Sequence, residues 1–283
     1  MVADTLTFDA ADGTRLAYRR IGTGKPLVCI PGGPMLPSAE LADLGGLSAY
    51  RTLILLDLRG TGDSAAPADP STYRCDRLVD DVEALRTHLA LDRIDLLAHS
   101  AGASLALLYA TRYPERIDHL ALITPSARPV RLEISDDDRR QVAELRRDEA
   151  WFPDAYAALE RIQSGSATET DWSAIMPFTY GSWDQVAQAH AARADEQRNV
   201  EAAGIYYSDG ALDPESTTAS LADLQAPVLV VAGEYDVALP AHRAADYARL
   251  FAHADVAVLP QAGHQPWLDD PGRFAQTVNA FLD

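Results

Sequence analysis

A serine, an aspartate and a histidine stand in this chain where a nucleophile, an orienting acid and a base would be needed. Ser100 follows the apolar run 94–98 within Ala98-His99-Ser100-Ala101-Gly102, and a helical pattern (Leu105, Leu108, Tyr109) begins at once. That order reads as a strand, a tight turn and a helix with the serine at the apex. Small neighbours suit such a turn, because it strains the backbone and brings strand and helix close together. The hydroxyl would be lifted above the sheet edge, near the positive end of the following helix. A serine hydroxyl is a weak nucleophile at neutral pH; it needs a base, and the base needs an orienting acid.

Both partners lie in loops after late apolar runs. Residues 228–232 lead into Gly233-Glu234-Tyr235-Asp236, and residues 256–259 lead into Pro260-Gln261-Ala262-Gly263-His264. In parallel α/β sheets, ligands bind beyond the C-terminal ends of the strands. Asp236 and His264 therefore complete the chain order Ser, Asp, His. Of the seven histidines, His88 falls in a helical pattern and His119 opens a strand. His242 and His253 flank a helix, and His190 lies in a polar central stretch. His99, beside the serine, would point away from it. Only His264 has the loop context of a base. Glu234 and Asp269 are the rival acids. A tetrahedral intermediate also needs preorganised N–H donors for its oxyanion. Ala101, just after the serine, is one candidate. Gly33, in Pro31-Gly32-Gly33-Pro34, is the other, because its bare backbone lets a carbonyl approach; a plain Pro-Gly turn is the alternative. This chemistry requires no metal and no other cofactor.

The elements that must position these groups alternate between short apolar strands and helices. Residues 5–8 and 15–18 flank an Asp12-Gly13 turn and read as an antiparallel hairpin. A buried strand is expected at 27–30, and further strands at 53–58, 94–98, 120–123, 228–232 and 256–259. Helices are expected around 78–89, 102–113, 241–251 and 273–282, the second stopped before Pro114. Such alternation predicts a mostly parallel eight-stranded sheet with helices on both faces. It breaks between 128 and 223, a polar, acidic, helix-like stretch holding Trp151, Phe152, Trp172, Phe178, Tyr180, Trp183, Tyr206 and Tyr207. The expected organisation is a core domain of residues 1–127 and 224–283, with a helical cap of residues 128–223 over the site. Trp183 and Tyr206 are the cap aromatics expected to line a substrate pocket.

Composition narrows the function classes. At 283 residues and 47% hydrophobic, the chain can bury a large core. Cys29 and Cys75 make no disulfide framework, and Cys29 falls inside an apolar strand. No apolar run reaches membrane-spanning length. The start, Met1-Val2-Ala3-Asp4, has neither a basic region nor a long apolar segment, so no signal peptide is expected and a cytoplasmic location is. A net charge of −18 would repel phosphate backbones and anionic lipid, which makes nucleic acid and membranes poor partners. The expected partner is a small-molecule or short-peptide substrate, with the protein a monomer or homodimer.

Taken together, the elbow, the glycine-rich loop, Gly-x-x-Asp and Gly-His resemble the α/β-hydrolase fold family, from about residue 5 to 282. Within it the chain is similar to proline iminopeptidases. The resemblance is carried by Gly32-Gly33-Pro34, by Leu56-Asp57-Leu58-Arg59-Gly60-Thr61-Gly62-Asp63-Ser64, by Ser104-Leu105-Ala106-Leu107-Leu108-Tyr109-Ala110 and by Gly233-Glu234-Tyr235-Asp236. Those enzymes usually show His-Gly-Gly-Pro-Gly, Asp-Gln-Arg-Gly and Gly-Gly-Ser-Trp-Gly at these places. Here Pro31, Met35, Leu58 and Ala101 stand instead of the histidine, the last glycine, the glutamine and the tryptophan. The resemblance implies a cofactor-independent serine hydrolase that releases an N-terminal residue from small peptides or amides. It also implies a cap carboxylate to hold the substrate amine, for which Glu196, in Ala194-Asp195-Glu196-Gln197-Arg198-Asn199, is the candidate. Ester or lactone hydrolysis and a biosynthetic acyl transfer or cyclisation are alternatives within the class. A small-molecule receptor on a hydrolase scaffold is the alternative outside it. Serine at the elbow argues against the epoxide hydrolases and haloalkane dehalogenases of this fold, which use aspartate there.

Overall fold

The strands are β1 (Asp4–Asp9), β2 (Arg15–Gly22), β3 (Pro26–Ile30), β4 (Thr52–Asp57), β5 (Ile94–His99), β6 (Ile117–Ile123), β7 (Val228–Gly233) and β8 (Ala254–Leu259). The computed structural model describes residues 4–283; residues 1–3, part of the segment read above for targeting signals, lie outside the described residues. All eight strands form one sheet in the order β1-β2-β4-β3-β5-β6-β7-β8. The hairpin β1–β2 and the pair β2–β4 are antiparallel, and every other pair is parallel. Asp12 accepts the Thr14 N–H (2.9 Å) and Gly13 takes a left-handed φ of 83°, so the hairpin closes where the Asp-Gly pair stands.

Every residue of β4, β5 and β7 is buried. Two-sided burial is what a continuous apolar run means in a parallel sheet. In β5, Leu96 and Ala98 face one core, built with helix α2 (Ala101–Arg112). Leu97 faces the other, with Trp267 of helix α10 (Pro266–Asp269) and Phe274 of helix α11 (Pro271–Leu282). Each such side chain taken out of water contributes at most about 1.5–3 kcal/mol, which makes the site's platform rigid. Strand β6 begins three residues before its apolar run, because Ile117 pairs with Ile94 and His119 with Asp95. Helix α1 (Val79–His88) precedes β5, and helix α9 (Ala241–Ala248), shorter than the pattern suggested, lies between β7 and β8.

Between β6 and β7 the alternation is interrupted. A 3-10 turn (Arg128–Val130) leads into α3 (Asp136–Ala143), α4 (Phe152–Gln163), α5 (Glu169–Ala174), α6 (Gln185–Gln197), α7 (Val200–Tyr206) and α8 (Pro214–Ala222). Several aromatics of this stretch pack among themselves: Phe178 is buried with Ala155 and Leu159, and Trp151, Phe152 and Tyr156 close over them. Among the described residues, no helix is long and apolar enough to cross a membrane.

Candidate active site

Strand β5 ends at His99 and α2 starts at Ala101, so one residue makes the whole turn. Ser100 does so at φ 51° and ψ −117°. A residue with a Cβ is strained there and stays only if its surroundings hold it. Two glycines make the surroundings possible. A Cβ on Gly102 would lie 2.3 Å from the Pro31 carbonyl oxygen, and one on Gly32 would lie 2.7 Å from His99 Nδ1. The loop after β3 can therefore press against the serine turn only because both positions lack side chains. Ala98, where the Gly-Gly-Ser-Trp-Gly of proline iminopeptidases has its first glycine, buries its methyl in the core instead.

The three chemically suggestive residues converge. His264 Nε2 lies 2.7 Å from Ser100 Oγ, and His264 Nδ1 lies 3.0 Å from Asp236 Oδ2. Asp236 is fully buried, and its other oxygen accepts the Ala238 N–H at 2.8 Å. With Nδ1–H donated to the carboxylate, Nε2 is left free to accept the serine proton. Burial alone would lower the pKa of His264. The charge of Asp236, its hydrogen bond and the charge of Glu40 outweigh this and hold the imidazole above its ordinary value. The loop carrying His264 is itself anchored: its N–H donates to the Thr179 carbonyl (2.8 Å), and its carbonyl accepts from Thr124 Oγ1 (2.8 Å).

The rival acids serve that loop. Glu234 accepts the Gln261 N–H (2.7 Å), and Asp269 accepts those of Gly263 (2.8 Å) and Gly181 (2.9 Å). Both carboxylates fix the backbone that leads into His264, Asp269 also tying it to Gly181, and the carboxylate bonded to the ring is Asp236.

Behind the serine lies a buried pair absent from the sequence reading. His99 does point away from Ser100. Its Nδ1 meets Glu40 Oε1 at 3.2 Å and its Nε2 meets the His264 carbonyl at 3.0 Å. A carbonyl oxygen only accepts, so Nε2 carries a proton. The same Glu40 oxygen takes the Gly32 N–H at 2.6 Å. Burial works to raise the Glu40 carboxyl, but His99 and the Gly32 hydrogen bond prevail and it stays below its ordinary value. With the Gly32 N–H occupied, Gly33 is the glycine of this loop that suits an oxyanion, and it is half-buried at φ 118°. Ala101 is the first residue of α2, so its N–H has no partner within the helix.

A cleft of about 780 Å³ opens over Ser100 and His264, with Leu132, Ile134, Tyr207 and Leu212 in its lining. The three residues of 128–223 expected to face substrate are absent from this lining, and the expectation is corrected on each. Tyr206 is 1% exposed, inside the main core, and its hydroxyl donates to the Ala101 carbonyl at 3.0 Å. Its neighbour Tyr207 lines the cleft instead, bonded to Ser104 Oγ at 2.8 Å. Trp183 is half-buried against Tyr180, with ring centres 5.4 Å apart. Glu196 is exposed on α6. Among the described residues, the one cluster with metal-ligand chemistry is Asp95, Asp118 and His119. It sits at the N-terminal ends of β5 and β6, away from the serine turn, with its carboxylates beside Arg51 and Arg93.

A family model described as alpha/beta hydrolase fold matches residues 25–271. A proline iminopeptidase of Heyndrickxia coagulans is 24% identical over 285 residues, covering 96% of both chains. A thermophilic esterase from Thermogutta terrifontis is 25% identical with a TM-score of 0.68, covering 100% of this chain and 98% of its own. The proline iminopeptidase of Mycobacterium smegmatis shares the fold with a TM-score of 0.75 at 24% identity, covering 99% of this chain and 97% of its own. The chain belongs to the α/β-hydrolase fold family, and it is a hydrolase of that fold.

Proposed function

We propose that the protein is a cofactor-independent serine hydrolase of small acyl substrates, working through Ser100, His264 and Asp236. The observation that carries this reading is the continuous path from Ser100 Oγ to His264 Nε2 (2.7 Å) and from His264 Nδ1 to buried Asp236 (3.0 Å). Ser100 Oγ attacks the acyl carbon while its proton passes to His264 Nε2. The carbonyl π pair moves onto oxygen, where the Ala101 and Gly33 N–H groups receive it. Collapse of the intermediate expels the leaving group, which takes the proton from His264, and an acyl-serine remains. Water then gives its proton to His264 and its oxygen to the acyl carbon, and Ser100 leaves reprotonated. Asp236 orients the imidazole and stabilises its protonated form in both halves. Residues 128–223 act as a cap over this site, on a core of residues 1–127 and 224–283.

Within this class we place ester hydrolysis ahead of N-terminal residue release. The relative from Heyndrickxia coagulans carries a proline iminopeptidase name. An aminopeptidase, however, needs carboxylates to hold the substrate amine. Glu196 stands outside the cleft, and Glu133 is the single acid in a lining that holds three arginines. A panel of p-nitrophenyl esters beside aminoacyl-naphthylamides tests the order. Turnover of short-chain esters at the higher kcat/KM is expected. Naphthylamides cleaved at least tenfold better would reverse the ranking, and neither being cleaved would favour a receptor on a hydrolase scaffold.

A further inference from the structure

The charges around Ser100 run against those of the molecule. The chain has 42 acidic and 24 basic residues, yet the cleft is lined by Arg128, Arg131 and Arg139 against Glu133 alone. Elsewhere, most arginines sit beside carboxylates; those that do not, Arg20, Arg147, Arg193 and Arg198, are exposed and line no part of this cleft. Buried Arg51, Arg59 and Arg146 pair with Asp283, Asp81 and Glu149, and exposed Arg15, Arg93 and Arg112 pair with Asp9, Asp118 and Asp80. Among the described residues, no carboxylate lies within 4.0 Å of a guanidinium nitrogen of the three cleft arginines. Asp138 adjoins Arg139 in sequence but turns to His242 (2.6 Å) and Arg243 (4.0 Å).

Two of these arginines are also held through their side chains, and the third through its backbone. Arg139 Nη1 donates to the Val237 carbonyl at 2.7 Å, directly after Asp236. The Arg128 guanidinium lies 4.9 Å from the centre of the Tyr207 ring, which itself lines the cleft. Arg131 follows the 3-10 turn in a left-handed conformation, φ 50°, its N–H returning to the Arg128 carbonyl. Three positive charges lining one cleft with a single acid, and none of them paired within 4.0 Å, leave an excess of positive charge that a bound anion relieves. A guanidinium presents five donors in a planar fork suited to carboxylate or phosphate, and Arg139 spends one nitrogen on Val237.

We infer that the cleft takes an acyl substrate bearing a second, anionic group, a carboxylate or a phosphate, which Arg128, Arg131 and Arg139 hold while the ester carbonyl lies at Ser100. This rests on the serine-hydrolase reading for the acyl half only; the anion site stands on the charge pattern. At a net charge of −18 the molecule repels anions at long range, so recognition is local to the cleft.

The test is calorimetric titration of the Ser100→Ala protein with monomethyl glutarate, methyl 4-phosphonobutyrate and the neutral dimethyl glutarate. One of the two anions should bind at least about tenfold more tightly than the neutral diester, and which one does identifies the group. Arg128→Gln and Arg131→Gln alter exposed side chains and should each narrow that preference. Arg139→Gln, added to them, should abolish it. Equal binding of the three ligands, no measurable binding of any, or a preference that survives the triple change overturns the proposal. Wild-type protein that is inert toward every ester while Ser100→Ala keeps the preference overturns the hydrolase reading and leaves the anion site standing.

Discussion

Replacing Asp236 by asparagine keeps the size of a fully buried side chain and changes one property, the proton preference at His264 Nδ1 (3.0 Å away). Asn Oδ1 can still accept the Ala238 N–H that Asp236 takes at 2.8 Å. Its NH₂ then faces Nδ1 and donates to it, which puts the imidazole proton on Nε2, pointing at Ser100 Oγ, 2.7 Å away. A base that already carries a proton where it must accept one cannot start the reaction. The loss expected for that wrong tautomer is roughly 10⁴-fold in kcat, or about 5.5 kcal/mol. The pH profile supplies a second, signed readout. The reaction needs neutral His264, so kcat/KM falls as the pH drops through its pKa. In the wild type that pKa is raised, because Asp236 and Glu40 outweigh burial. The acidic limb should therefore lie above the ordinary histidine range. In Asp236→Asn the largest raising influence is gone while burial remains, so the limb should move to lower pH. Initial rates of p-nitrophenyl butyrate hydrolysis over about pH 5–9 measure both effects. A variant within tenfold of wild type, or one with an unmoved acidic limb, would refute the argument.

Linkage gives the same raised pKa a stability signature: the contribution from protonated His264 is present below its unfolded pKa and is lost as pH rises through the folded value. Melting curves across neutral pH should show this loss in the wild type and not in Asp236→Asn. Glu40→Gln weakens charge-assisted bonds to Gly32 and His99, so kcat should fall about tenfold or more with KM little changed, by steady-state kinetics. A KM effect alone would place Glu40 outside oxyanion-loop positioning. Gly102→Ala puts a methyl 2.3 Å from the Pro31 oxygen; about 3 kcal/mol of destabilisation is expected, read as a melting temperature lower by roughly 6–10 °C. Tyr206→Phe removes a buried hydrogen bond to Ala101 and should cost about 1 kcal/mol without changing the ratio of kcat/KM between two esters of different size, whereas Tyr207→Ala should change that ratio.

What could be read from the chain was whatever is encoded locally. The buried parallel strands were legible because each is an apolar run ended by glycine, proline or a turn, and the elbow because Ser100 stands between a strand pattern and a helix pattern. Asp236 and His264 followed from one rule, that ligands gather beyond strand ends. The choice among Asp236, Glu234 and Asp269 was not local, since it depends on which carboxylate faces a ring and which faces backbone N–H groups. Tyr206 and Tyr207 are adjacent at the end of α7, and sequence spacing does not say which one turns into the core. Glu40 and His99 are separated by 59 residues and meet only because the loop after β3 folds against the end of β5. The arginine cluster was visible as residues but not as a cluster. Asp136, Asp137 and Asp138 adjoin Arg139 in sequence, and only the fold shows them outside the cleft lining that the three arginines enter.

Under the proposed function, Ser100 is a nucleophile activated by His264. Incubation with a fluorophosphonate, followed by intact mass and peptide mapping, tests it most directly. One adduct per chain is expected, on Ser100, abolished by Ser100→Ala and strongly slowed by His264→Ala, with the variants folded by circular dichroism. An unlabelled wild type, an adduct on another residue, or labelling that persists in Ser100→Ala would contradict it.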